Sequence, residues 1–298
     1  MDLRLAFGIR IGSELPLPEL AASESLETDV IIRLGPVPEA LADARQVGRR
    51  GQATADAFLL DIEGAARFLV RGGAEVVVDL TPDGDPARVK LFLLGTVLGA
   101  LCYQRGLLPL HANAVATAGR CVALAGDSGA GKSTLGACLV RAGWSFVADD
   151  VCALAFDADG TAWARPGVRH AKLWSDALAA MGRSVDGLAL VGDGRDKYAV
   201  PSANPAGSAP IRFDRLYILG RTDAAPVIRR LGGAEALQGV LANLYRFNVG
   251  VALGRKTLIY AQAMRLIGQA PVFRFERRWG FEAMDESVET LTRHLAAS

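Results

Sequence analysis

The pattern of apolar and polar residues divides the chain into two parts. In the first part, short alternating or β-branched runs stand between turn-forming clusters, which is typical of strands joined by turns. Pro16 and Pro18 exclude a helix where they stand, and a turn cluster at residues 81–86 closes this part. We therefore predict a β-rich N-terminal region over residues 1–86. Its strands are expected at residues 6–11, 29–34, 57–62, 66–70 and 74–80.

From residue 87 onward, the pattern alternates between helix and strand. A long apolar helix is expected over residues 87–105, and the order strand, helix, strand follows up to residue 154. That order predicts parallel strands joined by a right-handed crossover, and so an α/β domain over residues 87–298. The segment 182–210 is rich in Gly, Pro, Ser and Asp and is expected to hold an ordered or ligand-closed loop. Further helices are expected at 171–181, 234–247, 256–268 and 281–297, and strands at 110–117, 121–125, 144–148, 211–220 and 271–277.

Composition and charge narrow the classes of partner. The formal net charge is +1, and the basic pairs are scattered along the chain, so we expect no nucleic-acid partner. The most apolar run, residues 91–103, is shorter than the ~20 residues that a membrane span needs. We read it as a buried helix and expect no membrane partner. No charged-then-apolar leader opens the sequence, and the four cysteines sit in apolar runs, which favours a reducing, cytoplasmic location.

A glycine-rich loop is the clearest chemical motif. Residues 126–133 read Gly-Asp-Ser-Gly-Ala-Gly-Lys-Ser, between an apolar strand and a helix, which is the context that a phosphate-binding loop requires. Its backbone N–H groups would point at phosphate oxygens, Lys132 would reach the β- and γ-phosphates, and Ser133 would bind Mg²⁺. The expected cofactors are ATP and Mg²⁺, although the loop does not distinguish ATP from GTP. The predicted loop residues are Gly126, Asp127, Ser128, Gly129, Ala130, Gly131, Lys132, Ser133 and Thr134.

Two adjacent acids follow the loop by one crossover. Asp149 and Asp150 come directly after the strand at 144–148. The carboxyl ends of parallel strands meet at one edge of a sheet, so both acids should lie near the γ-phosphate. One acid could hold Mg²⁺ while the other accepts a proton from an attacking hydroxyl.

Three basic residues complete the candidate site. Tight-turn pairing across residues 118–120 would join partners whose numbers add up to about 238, which places His111 opposite Asp127 at the mouth of the loop. His111 could orient an aspartate or contact phosphate, or it could be a hydrogen-bonded strand histidine. Arg195 and Lys197 could close on the phosphates, or they could belong to a solvated loop.

The stretch "HANAVATAGRCVALAGDSGAGKSTLGACLVRAGWSFVADD" resembles the core of the HPr kinase/phosphorylase family, over residues 110–152. The resemblance implies an α/β fold with a P-loop kinase core of the HPr kinase/phosphoenolpyruvate carboxykinase-like type, and ATP-dependent phosphorylation of a protein serine. It makes Asp149 the catalytic base, with His111 beside it and Lys132 on the phosphates. Asp150 is then the second acid and joins Ser133 at the metal.

The resemblance is incomplete after residue 152. The Arg-Gly signature and the Arg-rich stretch of the bifunctional enzymes are missing, and residues 164–174 do not replace them. The stretch "LAFGIRIGSELPLPEL" instead resembles shorter HPr-kinase-like proteins of lasso-peptide clusters, which phosphorylate the C-terminal serine of a precursor peptide. Lys197-Tyr198 matches a pair common in that subgroup. The expected substrate is therefore a peptide or protein serine. A bifunctional HPr kinase/phosphorylase, a non-catalytic nucleotide-binding scaffold and a small-molecule kinase remain alternatives, and a homo-oligomer remains open.

Overall fold

The chain folds as a mixed α/β protein in the computed structural model, which describes residues 1–192 and 194–297. Asp193, within the segment 182–210 that is expected to hold a loop, and Ser298 lie outside the described residues. The N-terminal strands form a nine-stranded sheet in the order β3-β1-β2-β4-β9-β8-β7-β6-β5. These strands are Asp2–Ala6 (β1), Ile9–Ser13 (β2), Ala21–Ala22 (β3), Val30–Leu34 (β4), Arg45–Val47 (β5), Gly51–Ala53 (β6), Ala57–Ile62 (β7), Ala66–Arg71 (β8) and Glu75–Leu80 (β9).

Four of the five strands predicted in this region are present. The fifth prediction was wrong, because residues 6–11 are not one strand. The chain turns at Phe7 and Gly8, whose φ angles are +55° and +72°, and β1 and β2 pair across that turn. The N-terminal sheet ends at Leu80 and the next helix begins at Pro86. The division into two domains at this point stays a prediction.

The long apolar helix is present and lies in the core. It comprises Pro86–Phe92 (α1), a π-helical segment at Leu93–Val97, and Leu98–Gln104 (α2). By length and composition alone this stretch could cross a membrane, but 61% of its apolar window is buried inside the protein. Its apolar side chains pack in one cluster with both large sheets, as the buried-helix interpretation expects. All four cysteines are likewise buried free thiols, and burial raises the pKa of Cys152 to about 12.

The remaining strands form a second nine-stranded sheet and a small three-stranded sheet. The second sheet runs β10-β14-β15-β19-β12-β11-β13, with β21 and β20 added beside β19, and the small sheet runs β16-β18-β17. The strands are Leu108–Leu110 (β10), Asn113–Thr117 (β11), Arg120–Ala125 (β12), Ser145–Ala148 (β13), Cys152–Phe156 (β14), Ala162–Arg165 (β15), His170–Trp174 (β16), Ala189–Leu190 (β17), Lys197–Pro201 (β18), Ile211–Arg221 (β19), Val227–Leu231 (β20) and Val272–Arg277 (β21).

Parallel strands bring four chain segments to one edge of the second sheet. Strands β12, β19 and β21 are parallel neighbours. Strand β13 also runs parallel to β12, but the hairpin strand β11 lies between them and pairs antiparallel with both. The glycine loop and the two acids therefore emerge at the same edge, as predicted, although separated by one additional strand.

The predicted strand over 110–117 was wrong in its first half. The chain leaves the sheet at His111 and Ala112 and re-enters at Asn113. The pairing of Thr117 with Arg120 makes paired numbers add up to 237, because a two-residue turn at Ala118 and Gly119 closes the hairpin. The predicted register was thus one residue off.

Six more helices are present in the described part of the chain. The helices Lys132–Arg141 (α3) and Met284–Ala296 (α8) pack on one face of the second sheet. Two helix predictions need correction: residues 171–181 divide into a strand and a short helix, and the helix predicted over 234–247 ends at Ala242. Lys197, expected in a loop, begins strand β18. The helices are Lys132–Arg141 (α3), Ser175–Ala180 (α4), Gly233–Ala242 (α5), Phe247–Ala252 (α6), Lys256–Gln269 (α7) and Met284–Ala296 (α8), with a 3₁₀ turn at Phe281–Ala283.

Candidate active site

A cleft of about 1030 Å³ opens at the edge where the parallel strands end. Every residue predicted for the site lines this cleft except Ala130. The structure therefore brings together the glycine loop, the two acids, His111, Arg195 and Lys197. In open α/β sheets, ligands bind at this edge.

The glycine loop curls tightly between β12 and α3. Gly126, Gly129 and Gly131 have φ angles of +131°, +84° and +82°, which favour glycine. Lys132 is buried, and its Nζ donates to the carbonyl oxygens of Gly126 at 2.7 Å and Asp127 at 3.1 Å. Burial lowers the pKa of Lys132, and the nearby Lys197 contributes in the same direction. The loop thus holds a desolvated cation at its centre.

Asp149 is held by three donors. Its Oδ1 accepts from Ser133 Oγ at 2.8 Å and from Asn113 Nδ2 at 3.2 Å, and its Oδ2 accepts from the backbone N–H of Lys172 at 2.8 Å. The residue is only 6% exposed. A carboxylate and a hydroxyl are therefore fixed side by side at the start of α3.

Asp150 is held by two basic side chains. Its Oδ2 lies 2.8 Å from Lys172 Nζ, and its Oδ1 lies 3.1 Å from His111 Nδ1. Burial by itself would raise the pKa of Asp150, but Lys172 and His111 outweigh it and hold that pKa far below its ordinary range. The same ion pair outweighs burial at Lys172 and raises its pKa. Asp150 also has a φ of +73°, an uncommon conformation for a residue other than glycine.

From the sequence, His111 was expected opposite Asp127, but in the structure His111 lies beside Asp150. The break in the strand at His111 and Ala112 turns the imidazole toward Asp150, and its ring centre is 5.8 Å from that of Tyr245. The correction follows from the register, since a residue outside the ladder is not positioned by cross-strand pairing.

Lys172 is a residue that the sequence analysis missed. Its backbone N–H binds one acid and its side chain binds the other. Helical spacing had been read into residues 171–181, but the first four alternate: Ala171 and Leu173 are buried, whereas Lys172 and Trp174 line the cleft. A period of two was the signal that could have identified this strand.

Arg195 and Lys197 line the side of the cleft formed by the small sheet. Lys197 Nζ lies 5.6 Å from the ring centre of Trp174. The Ser175 hydroxyl and the Asp196 carboxylate form a hydrogen bond that ties this segment to the start of α4. The two cations therefore line the cleft on the side of α4.

Gly136 leaves room for the Asn113 side chain that supports Asp149. A Cβ at this position of α3 would lie 1.9 Å from Asn113 Oδ1. We expect Gly136→Ala to displace Asn113 and to lower the free energy of unfolding by about 1–3 kcal/mol. Gly268→Ala on α7 is the control, because nothing lies within 4 Å of its added Cβ. That change should raise the stability by up to about 1 kcal/mol. Urea unfolding measures both, and equal effects would contradict the assigned packing.

Comparison with known proteins finds a likeness among solved structures only. No protein-family model matches the sequence, and no curated protein matches it. Among solved structures, the chain is similar to the Hpr(Ser) kinase/phosphatase from Coxiella burnetii, with 14% sequence identity and a TM-score of 0.32. The match covers 64% of this chain and 99% of that chain. At this TM-score and identity the likeness assigns neither a family nor a function to the chain.

Proposed function

We propose that this protein is an ATP-dependent kinase that transfers the γ-phosphate to a serine of a peptide or protein. The observation that carries the proposal is the hydrogen bond between Ser133 and Asp149 at the end of the glycine loop, with a second charged acid one residue away. A nucleotide-binding scaffold would need the loop, but it would not need a second, partly buried acid held by two basic side chains.

The residues at the loop suit a triphosphate with Mg²⁺. Mg²⁺ is usually held by one or two carboxylates together with substrate phosphates and water, rather than by a complete set of protein ligands. Ser133 and Asp149 supply a hydroxyl and a carboxylate side by side, which fits that donor set. The metal would neutralise charge on the transferred phosphoryl group. Lys132, now bonded to carbonyl oxygens of its own loop, would turn to the phosphates.

The contacts favour an exchange of the roles that the family resemblance implies for the two acids. Asp149, bonded to Ser133, is placed better than Asp150 to share the metal. Asp150 then faces the acceptor hydroxyl, and Lys172 and His111 keep it ionised and fixed in direction. Asp150 would orient that hydroxyl and take its proton. A weak base suffices for this, because phosphoryl transfer has a loose transition state in which positioning matters most.

The acceptor would enter beyond the acids. The cleft continues from Asp150 to Trp174, Lys197 and Arg246, which leaves the glycine loop free for the nucleotide. Trp174 is 40% exposed there and offers an apolar platform beside cations. On the N-terminal resemblance, we favour the C-terminal serine of a lasso-peptide precursor as the acceptor.

The proposal is tested by incubating the protein with γ-labelled ATP, Mg²⁺ and either a precursor peptide ending in serine or HPr. We expect label on the peptide serine, located by mass spectrometry, and none with Lys132→Ala. Label on HPr instead would exclude the lasso-peptide acceptor. Pyrophosphate released from phospho-HPr with inorganic phosphate would favour the bifunctional enzyme, and nucleotide binding without any transfer would favour the scaffold.

A further inference from the structure

An aromatic and cationic wall lies behind the glycine loop and takes no part in the arrangement of the acids. Strands β19 and β21 end there side by side, with Arg221 paired to Arg277. Trp279 and Phe281 follow, and both line the cleft while remaining 48% and 39% exposed. Exposed aromatic side chains inside a cleft are candidates for contact with a ligand.

The two arginines bind the loop itself. Arg277 Nη2 donates to the Ala130 carbonyl at 2.9 Å, and Arg221 Nη2 lies 3.5 Å from the Gly129 carbonyl oxygen. Arg221 also stacks on Trp279, with its guanidinium carbon 3.5 Å from the ring centre. This network joins Trp279 to the back of the phosphate-binding loop.

The two arginines of this wall have no acidic partner among the residues that the structure describes. Arg277 is 1% exposed and its Nε has no hydrogen-bond partner. Burial and the neighbouring Arg221 lower the pKa of Arg277. Two guanidinium groups that contact carbonyl oxygens, but pair with no described acid, would be stabilised by an anion beside the loop.

The position of the two acids determines how a nucleotide would be oriented in the cleft. Its γ-phosphate must face Asp149 and Asp150, and its β-phosphate must lie in the loop between Gly126 and Ser133. The α-phosphate and the nucleoside then leave on the side away from the acids. Arg221 lies there, since it reaches the Gly129 carbonyl oxygen and stacks on Trp279, and Phe281 follows two residues later.

We infer that Trp279 and Phe281 form the site for the base of the nucleoside triphosphate, with Arg221 and Arg277 supplying positive charge beside its phosphates. The base stacks on the indole of Trp279. Gly280, whose φ of +116° favours glycine, turns the chain between the two aromatic residues. This inference rests on the proposed nucleotide-dependent function and extends it, since neither the loop motif nor the family resemblance identifies residues that contact the base.

The test compares a ligand that has a base with one that lacks it. Calorimetry measures the Kd of Mg·ATP and of Mg·tripolyphosphate for the wild type, Trp279→Ala, Trp279→Phe and Tyr260→Ala. Stacking of a base on an aromatic ring contributes roughly 5- to 150-fold in affinity. We expect Trp279→Ala to raise the Kd of Mg·ATP by that factor and the Kd of Mg·tripolyphosphate by less than twofold. Trp279→Phe should retain most of the affinity for ATP. Tyr260, 38% exposed and outside the cleft, is the matched control, and its removal should change neither Kd.

Each failure has a distinct meaning. If the wild type binds ATP no more tightly than tripolyphosphate, or if Trp279→Ala weakens both ligands equally, the base site is wrong while the phosphate loop stands. If the wild type binds neither ligand, the proposed function fails together with the base site. Thermal melting checks that Trp279→Ala folds. Its free energy of unfolding should lie within about 0.5 kcal/mol of the wild-type value, because the side chain is half exposed.

Discussion

The Asp149→Asn variant should lose about a thousandfold in the rate of phosphoryl transfer. Asp149 accepts from Ser133, Asn113 and the Lys172 N–H. The amide cannot accept at both of its ends, so one donor is left facing an NH₂ group. The charge that would hold Mg²⁺ beside Ser133 is lost as well. Removal of one electrostatic contact in a closed site costs 10²–10³-fold, and loss of a metal ligand adds to that.

The Mg²⁺ dependence separates the roles of the two acids. If Asp149 shares the metal, Asp149→Asn raises the Mg²⁺ concentration needed for half-maximal rate, whereas Asp150→Asn lowers the maximal rate at an unchanged Mg²⁺ requirement. The reverse pattern would restore Asp149 as the base and Asp150 as the metal acid. Full activity of Asp149→Asn would remove Asp149 from the chemistry altogether.

Local patterns predicted the centre of the site, whereas tertiary contacts decided its surroundings. The loop at residues 126–133 could be predicted from local sequence, because its glycines and the helix that follows are adjacent in the chain. The position of Asp149 and Asp150 followed from strand direction alone. That prediction did not require β13 and β12 to be neighbours, so the intervening β11 left it intact.

The errors arose where one residue of register or period decides the outcome. His111 was placed by cross-strand counting, which fails once the chain leaves the ladder at Ala112. Lys172 was missed because residues 171–174 are too few to distinguish the alternating pattern of a strand from the apolar spacing of a helix. The residues behind the loop, Arg221 and Trp279, carry no motif. They meet only because β19 and β21, which are distant in the sequence, pair side by side in the sheet.

Lys172→Met should lower the activity about a hundredfold and change its dependence on pH. Lys172 Nζ is 2.8 Å from Asp150, and both side chains are about four-fifths buried. Without the ammonium group, burial still disfavours the charged form of Asp150, and His111 is its remaining basic partner. We expect a destabilisation of about 2 kcal/mol, since the pair is buried but not fully desolvated. The backbone N–H bond to Asp149 does not depend on the side chain and should survive.

The sign of the pH effect follows from the direction of the shift. In the wild type the pKa of Asp150 is held far below its ordinary value, so the carboxylate stays ionised, and the stability that it contributes is lost only as the pH falls through the folded-state pKa. Without Lys172 that pKa rises. The acid limb of the rate profile in Lys172→Met should therefore move to higher pH, and stability should decline earlier on acidification. Lys172→Arg keeps the charge and should keep the wild-type limb at reduced rate. A Met variant whose profile overlays that of the wild type would show that Lys172 does not act through Asp150.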